Sequence, residues 1–337
     1  MATQTLAELF DDFLSDLSGQ SAASQRNYRH RLAVFLESYG DMTPGEVQRR
    51  HVNEWHAALV ARKLAGPTLA GYRQAVRAYF NWLVAEGYLA RNPTAHLRIG
   101  SYIPSRPKLP AESDVECITN MVNGWLEARR SARLALSQAP ATGRHSAALH
   151  QLAYPDPACV RDAAIWLVAR GCGPRSGELC NWRLSDLRRA LDRGPDAAGV
   201  YVSASRGKTG ATLIRFDART AEALRNWLAA RPAAECDYVF VTTRHYRTRD
   251  GRYRPLTRAA LGHVFESLAH EAGASSIVRS HALRHRVGHL VTKQHGPKVA
   301  ALLLNHKDAD TAATAIAFYH HPDEADISRA VASLGER

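Results

Sequence analysis

The chain has 337 residues, 45% hydrophobic and 23% charged, an ordinary globular composition long enough for two domains. Lys and Arg number 44 against 32 Asp and Glu, a formal net charge of +12 that attracts polyanions such as nucleic acid or an anionic membrane surface, although it also serves plain solubility. No apolar run approaches the roughly 20 residues that a membrane helix requires, which excludes a helical membrane protein.

From the N-terminus, Leu6, Leu9, Phe10, Phe13, Leu14 and Leu17 recur at three- and four-residue steps and predict an amphipathic helix. Acids stand among them where a secretory leader would be basic and then apolar, so the chain is read as intracellular, hence cytoplasmic. Ser24 can cap a second helix carrying Tyr28, Leu32, Phe35 and Leu36. Thr43, Pro44 and Glu46 combine a cap, a first-turn Pro and a capping-box acid ahead of a helix through Val52, Trp55, Leu59 and Val60. A further helix begins near Thr68, runs through Tyr72, Val76, Tyr79, Phe80 and Leu83, and stops at Gly87. Residues 1–97 thus predict a bundle of four helices without a strand. Arg26, Arg29, Arg73 and Arg77 are its candidates for contacts to DNA phosphates; for any one of them, a solvated helix face is the simpler reading.

The stretch 98–110, rich in Pro and basic residues, predicts an exposed linker. The second domain, 111–337, opens with a helix from Glu112 to Trp125. An insertion at about 127–157 follows, in which Glu127 to Leu136 can continue as a basic helix while later Pro, Gly and Ser predict a loop. Val160 to Ala169 predicts a buried helix. Gly199 to Phe216 predicts a β-hairpin around the turn-rich segment SRGKTGA. Helices resume at about Thr220, Thr257, Ser280, Lys298 and Thr311. The five cysteines are scattered without a CxxC pair, which fits reduced thiols better than a disulfide frame or a zinc site.

Four segments can carry chemistry. In GCGPRSGEL, Arg175 follows a Gly-rich bend with Glu178 three residues on; at a helix start, that guanidinium could face a phosphate and Glu178 could brace it. Alone, this is an ordinary Arg–Glu helix pair. Lys208 lies at the hairpin tip, where a lysine can solvate a turn or donate a proton in a DNA groove. His281 and Arg284 share a helix face at i and i+3, a pairing suited to a phosphodiester. His285 and His289 continue that face, but the segment offers Arg where a metal would want a carboxylate. His306 and Tyr319 close the set, and a tyrosine becomes a nucleophile only among activating groups.

In this order, Arg175, Lys208, His281-Ala-Leu-Arg284, His306 and Tyr319 resemble the active site of the phage integrase, or tyrosine recombinase, family. The resemblance spans nearly the whole chain. It implies a mainly α fold with a small β-sheet: an all-helical, SAM-like core-binding domain followed by a mixed α+β catalytic domain. It implies Tyr319 as nucleophile, Arg175 and Arg284 on the phosphate oxygens, Lys208 as general acid, His281 as acid–base or as a donor to the phosphate, His306 as a further donor, and Glu178 as orienter, with no cofactor and no metal. The partners implied are double-stranded DNA recombination sites, bound by a homo-tetramer or a hetero-tetramer with a related recombinase, with room for an accessory protein and a nucleoid-associated location. Asp326 to Leu334 would exchange between subunits. With the helical domain starting near Met1, the expectation is a simple Xer- or transposon-type member with no arm-binding module ahead of it. From His306 to Tyr319 there are thirteen positions where the family commonly shows about nine, and the added four approximate one helical turn. The insertion at 127–157 is a second departure. The rival readings are a type IB topoisomerase-like strand transferase, a catalytically silent DNA-binding relative, and a metal-dependent nuclease, for which the clustered acids are lacking.

Overall fold

The computed structural model describes residues 4–19, 22–97, 108–138, 144–154, 156–192, 199–202, 212–243 and 252–305. The chain divides into two compact units, Met1–Ser105 and Arg106–Arg337.

In the first unit, helices α1 (Leu6–Asp16), α2 (Ala22–Tyr39), α3 (Arg49–Ala61) and α4 (Gly66–Ala85) form the bundle. Thr5 starts α1 with a capping box: its hydroxyl accepts from the Glu8 amide, and its own amide donates to Glu8 Oε2 at 2.7 Å. The apolar stripes meet as periodicity requires, with Leu6, Leu9, Leu32, Phe35, Val52, Trp55, Val76, Tyr79, Phe80 and Leu83 buried in one core. Within it the Tyr79 hydroxyl donates to the Leu6 carbonyl at 2.6 Å, and burial pushes that phenol's pKa up.

Two starts differ from expectation. Helix α2 begins two residues before Ser24, which lies in its first turn. The Thr43-Pro44-Glu46 box caps a short 3-10 turn, after which buried Val47 takes an extended backbone and α3 starts separately at Arg49.

The second unit is organised around α7 (Pro157–Cys172). Asp156 caps it by accepting from the Ala158 amide at 2.8 Å, and Pro157 occupies the first turn, where no amide donor is missed. Ala163 to Ala169 are buried without interruption, the pattern of a helix packed on all sides. Packed against it are α5 (Glu112–Gln138), α10 (Ala218–Ala230), α11 (Arg258–Glu271) and α12 (Ser280–His295). Strands β1 (Gly199–Val202) and β2 (Thr212–Arg215) pair antiparallel, with Val200 opposite Ile214. Helices α8 (Ser176–Cys180), α9 (Leu184–Asp192) and α13 (Pro297–Leu303) complete the described elements.

The stretch at 127–157 is more helical than its breakers suggest. Helix α5 runs on to Gln138 because Glu127 to Leu136 contains no Gly or Pro, and α6 (Arg144–Ala153) packs back against it. Arg129 and Arg133 both donate their Nε to the Ala153 carbonyl at 3.3 Å, closing the end of α6. Pro140 and Gly143 fall between the two helices. The hairpin tip with Lys208, the helix expected near Thr311 and the segment Asp326 to Leu334 lie outside the described residues.

Candidate active site

The bend that follows α7 gathers the site. Gly173 ends α7 in the left-handed region (φ 58°), with its amide still bonded to the Ala169 carbonyl at 3.2 Å. Two residues later, Arg175 is the cap of α8. Its amide donates to Glu178 Oε2 at 2.8 Å and its Nη1 to Glu178 Oε1 at 2.6 Å. Glu178 is buried, so its carboxylate fixes both the backbone and the guanidinium of Arg175, whose side chain stays partly exposed. A guanidinium has five N–H donors, so Arg175 retains donors for an incoming anion.

Arg284 arrives from α12. It is buried, and it donates Nη1 to the Gly173 carbonyl at 2.7 Å and Nη2 to the Leu304 carbonyl at 2.5 Å. One side chain therefore ties the α7 bend to the end of α13. The approach needs glycine: a Cβ on Gly173 would lie 3.2 Å from Arg284 Cα, 3.3 Å from Val287 Cβ and 3.3 Å from Leu304 Cδ2.

His281 sits one turn before Arg284. Its ring meets His285 edge-on at 4.3 Å between centroids, with the two Nε2 atoms 2.9 Å apart. Partial burial, then the Arg284 guanidinium, then that of Arg175 hold its pKa below the ordinary histidine value. Both arginines thus act on one imidazole, although Arg175 and His281 are far apart in sequence. Two guanidiniums and a neutral imidazole at one bend can bind a phosphate and stabilise added negative charge on it.

Of the other expected site residues, Lys208 falls between the paired strands, and His306 and Tyr319 follow Asn305, the last described residue; all three lie outside the described residues. In the first unit, Arg26 and Arg29 are exposed on α2. Arg73 donates its Nε to His56 at 2.8 Å, and Arg77 donates to the Thr94 and Leu97 carbonyls. Among the described residues, no group of three or more His, Cys, Asp or Glu could hold a metal ion. Helix periodicity placed His285 on the face of His281, and the two rings do meet, but it did not reveal the Gly173 and Leu304 carbonyls as acceptors for Arg284. The available trace was Gly173 itself, two residues before Arg175.

Comparison with known proteins agrees with this geometry. The family pattern described as "Phage integrase family" matches residues 144–325, and the one described as "Phage integrase, N-terminal SAM-like domain" matches 7–87. The chain is similar to tyrosine recombinase XerC of Xylella fastidiosa, 26% identical over 311 residues that cover 91% of this chain and 90% of that protein. Among solved structures, it resembles the Tn1549 transposon integrase in complex with transposon right end DNA, with a TM-score of 0.65, 13% identity, and 98% and 100% of the two chains covered. It also resembles a lambda integrase tetramer bound to a Holliday junction, with a TM-score of 0.60, 16% identity, and 93% and 78% coverage. The fold is therefore the integrase fold, mainly α with a small β-sheet, and the chain belongs to the phage integrase family, the tyrosine site-specific recombinases.

Proposed function

We propose that the chain cuts and rejoins duplex DNA at a specific site through a 3′-phosphotyrosyl link to Tyr319, without metal or nucleotide cofactor. The observation that carries this reading is the meeting of Arg175 and Arg284 at the Gly173 bend, with His281 under the influence of both. In this reading the Tyr319 hydroxyl passes its proton to the neutral imidazole of His281 as its oxygen attacks the scissile phosphorus. Arg175 and Arg284 hold the nonbridging oxygens as charge builds on them, and His281 and His306 add donors. The bond from phosphorus to the 5′-oxygen breaks, and Lys208 supplies the proton that makes the leaving group a 5′-hydroxyl. The phosphotyrosyl bond conserves the phosphodiester energy, so a 5′-hydroxyl from another strand reseals the break by the reverse steps. Arg26 and Arg29, exposed on α2, fit contacts to backbone phosphates.

The partner is double-stranded DNA, and the working assembly is a tetramer on two sites, in line with the lambda integrase tetramer on a Holliday junction. The test is covalent capture from a randomised pool of nicked duplexes, with EDTA present. The full chain and its Tyr319→Phe variant are incubated with the pool, denatured, and the protein-bound DNA is sequenced. A defined site captured by the wild type and not by Tyr319→Phe is the expected outcome. Capture without sequence preference would move the reading to a topoisomerase-like strand transferase. No capture, or capture that survives in the variant, would overturn the phosphotyrosyl assignment.

A further inference from the structure

We infer that Glu112, in the first turn of α5, is a positioning residue of this site: it ties α12 to the start of α5 and so sets where His281 and Arg284 meet Arg175. The inference rests on the phosphotyrosyl reading above.

The tie is a two-pronged ion pair. Arg286, two residues after Arg284 on α12, donates Nε to Glu112 Oε2 at 2.8 Å and Nη2 to Glu112 Oε1. The Arg286 side chain is only 12% exposed, so its charge requires a fixed partner. A second arginine lies within the electrostatic reach of the same carboxylate. Arg170, in the last turn of α7, is partly buried, and Arg286 and Glu112 act on it in opposite directions: the cation disfavours its charge and the carboxylate favours it. Arg219 and Asp217 complete its charged surroundings, with opposing effects of their own. Glu112 is thus the acid that acts on two like charges belonging to the two helices whose approach builds the site.

The same end of α5 holds the other side of the catalytic turn. Asp114 accepts from the Ser275 amide at 2.8 Å, the Ser275 hydroxyl at 3.0 Å and the Ser276 hydroxyl at 2.6 Å, in the segment between α11 and α12. Cys117 Sγ donates to the Ala272 carbonyl at 2.7 Å, at the end of α11. His281 and Arg284 therefore lie between two attachments to α5, one at Ser275 and Ser276 and one at Arg286. Phosphoryl chemistry is sensitive to such placement, because a misplacement of about 1 Å can cost on the order of 100-fold in rate.

The experiment is a double-mutant cycle on the full chain: wild type, Glu112→Gln, Arg286→Gln and the double variant. Each is given a nicked duplex taken from the covalent-capture pool. Three quantities are read: the adduct rate at saturating DNA, the Kd for the same duplex in a Tyr319→Phe background, and the thermal midpoint. Each single variant is expected to slow the adduct about tenfold with Kd within about twofold, and the double variant to stay near tenfold, because the two side chains act as one unit. A pair that serves stability alone would lower the midpoint and leave the saturated rate unchanged, which would overturn the inference. So would single effects that multiply to about a hundredfold in the double variant. A wild type that forms no adduct would remove the phosphotyrosyl reading and this inference together, whereas a normal wild type beside an equally fast Glu112→Gln would remove the inference alone.

Discussion

Arg77 in the helical bundle and Arg284 beside the Gly173 bend do the same mechanical job. Each guanidinium reaches out of a helix and bonds two backbone carbonyls, those of Thr94 and Leu97 for Arg77 and those of Gly173 and Leu304 for Arg284. What separates them is company. Arg77 is partly exposed and closes the end of its own unit. Arg284 is buried, has His281 one turn away, and shares that imidazole with Arg175. A guanidinium clasping carbonyls is therefore no sign of a site; convergence of several groups able to bind a phosphate is.

Replacing each arginine by glutamine sharpens the contrast and should give the largest effect. In Arg284→Gln the adduct rate is expected to fall by about 10² to 10³-fold, the usual cost of one lost transition-state donor. The variant also leaves two carbonyls short of a charged donor, a stability cost on the order of 2–4 kcal/mol. Arg77→Gln should cost about 1–2 kcal/mol of stability while the saturated adduct rate stays within about twofold. Denaturant melts beside single-turnover cleavage would measure both. Equal losses of rate in the two variants would dissolve the distinction.

A matched pair of glycines gives a smaller and more local test. Gly87 and Gly173 both adopt positive φ, at 80° and 58°. A Cβ on Gly87 would meet nothing within 4 Å, whereas one on Gly173 would press on Arg284, Val287 and Leu304. Alanine at either position carries the left-handed penalty of about 1–2 kcal/mol. Gly173→Ala should in addition shift α12 and slow the adduct about tenfold, since small displacements of catalytic groups are costly. Equal saturated rates for the two alanine variants would show that α12 absorbs the extra carbon without moving its functional face.

Much of this was legible in the sequence, for physical reasons that also mark where reading stops. Amphipathic spacing located the four helices of the bundle, because burial of one face has a 3.6-residue signature. Glu178 was legible as the brace of Arg175, and Arg284 as a face-mate of His281, because i to i+3 neighbours touch on any helix. Helix α6 was read as loop, since Pro140 and Gly143 weigh against a helix in any local window while the packing of Arg129 and Arg133 on Ala153 does not show there. The junction of Arg284 with Gly173 and Leu304 left no pattern, because its acceptors are backbone carbonyls, which every residue carries. The pairing of Glu112 with Arg286 was hidden for a related reason: the partners are distant in sequence, and either would pass as a solvated charge.

The smallest effect concerns the protonation of His281, and it tests whether the two arginines face one point. Burial first, then Arg284, then Arg175 lower its pKa from 6.5. The folded chain therefore binds that proton less readily than the unfolded chain. The stability tied to the neutral ring is complete above the unfolded value, declines as the pH falls below it, and is fully lost once the pH has passed the lower folded value. Acidification should accordingly destabilise the wild type slightly more than His281→Gln. Followed by the ring-proton shifts in nuclear magnetic resonance, His281 should titrate with a midpoint below 6.5 in the wild type. In Arg175→Gln the midpoint should rise yet stay below that value, because burial and Arg284 still act on the ring. An unmoved midpoint would mean that Arg175 does not reach the imidazole, and the bend would then bring one arginine to bear on His281 instead of two.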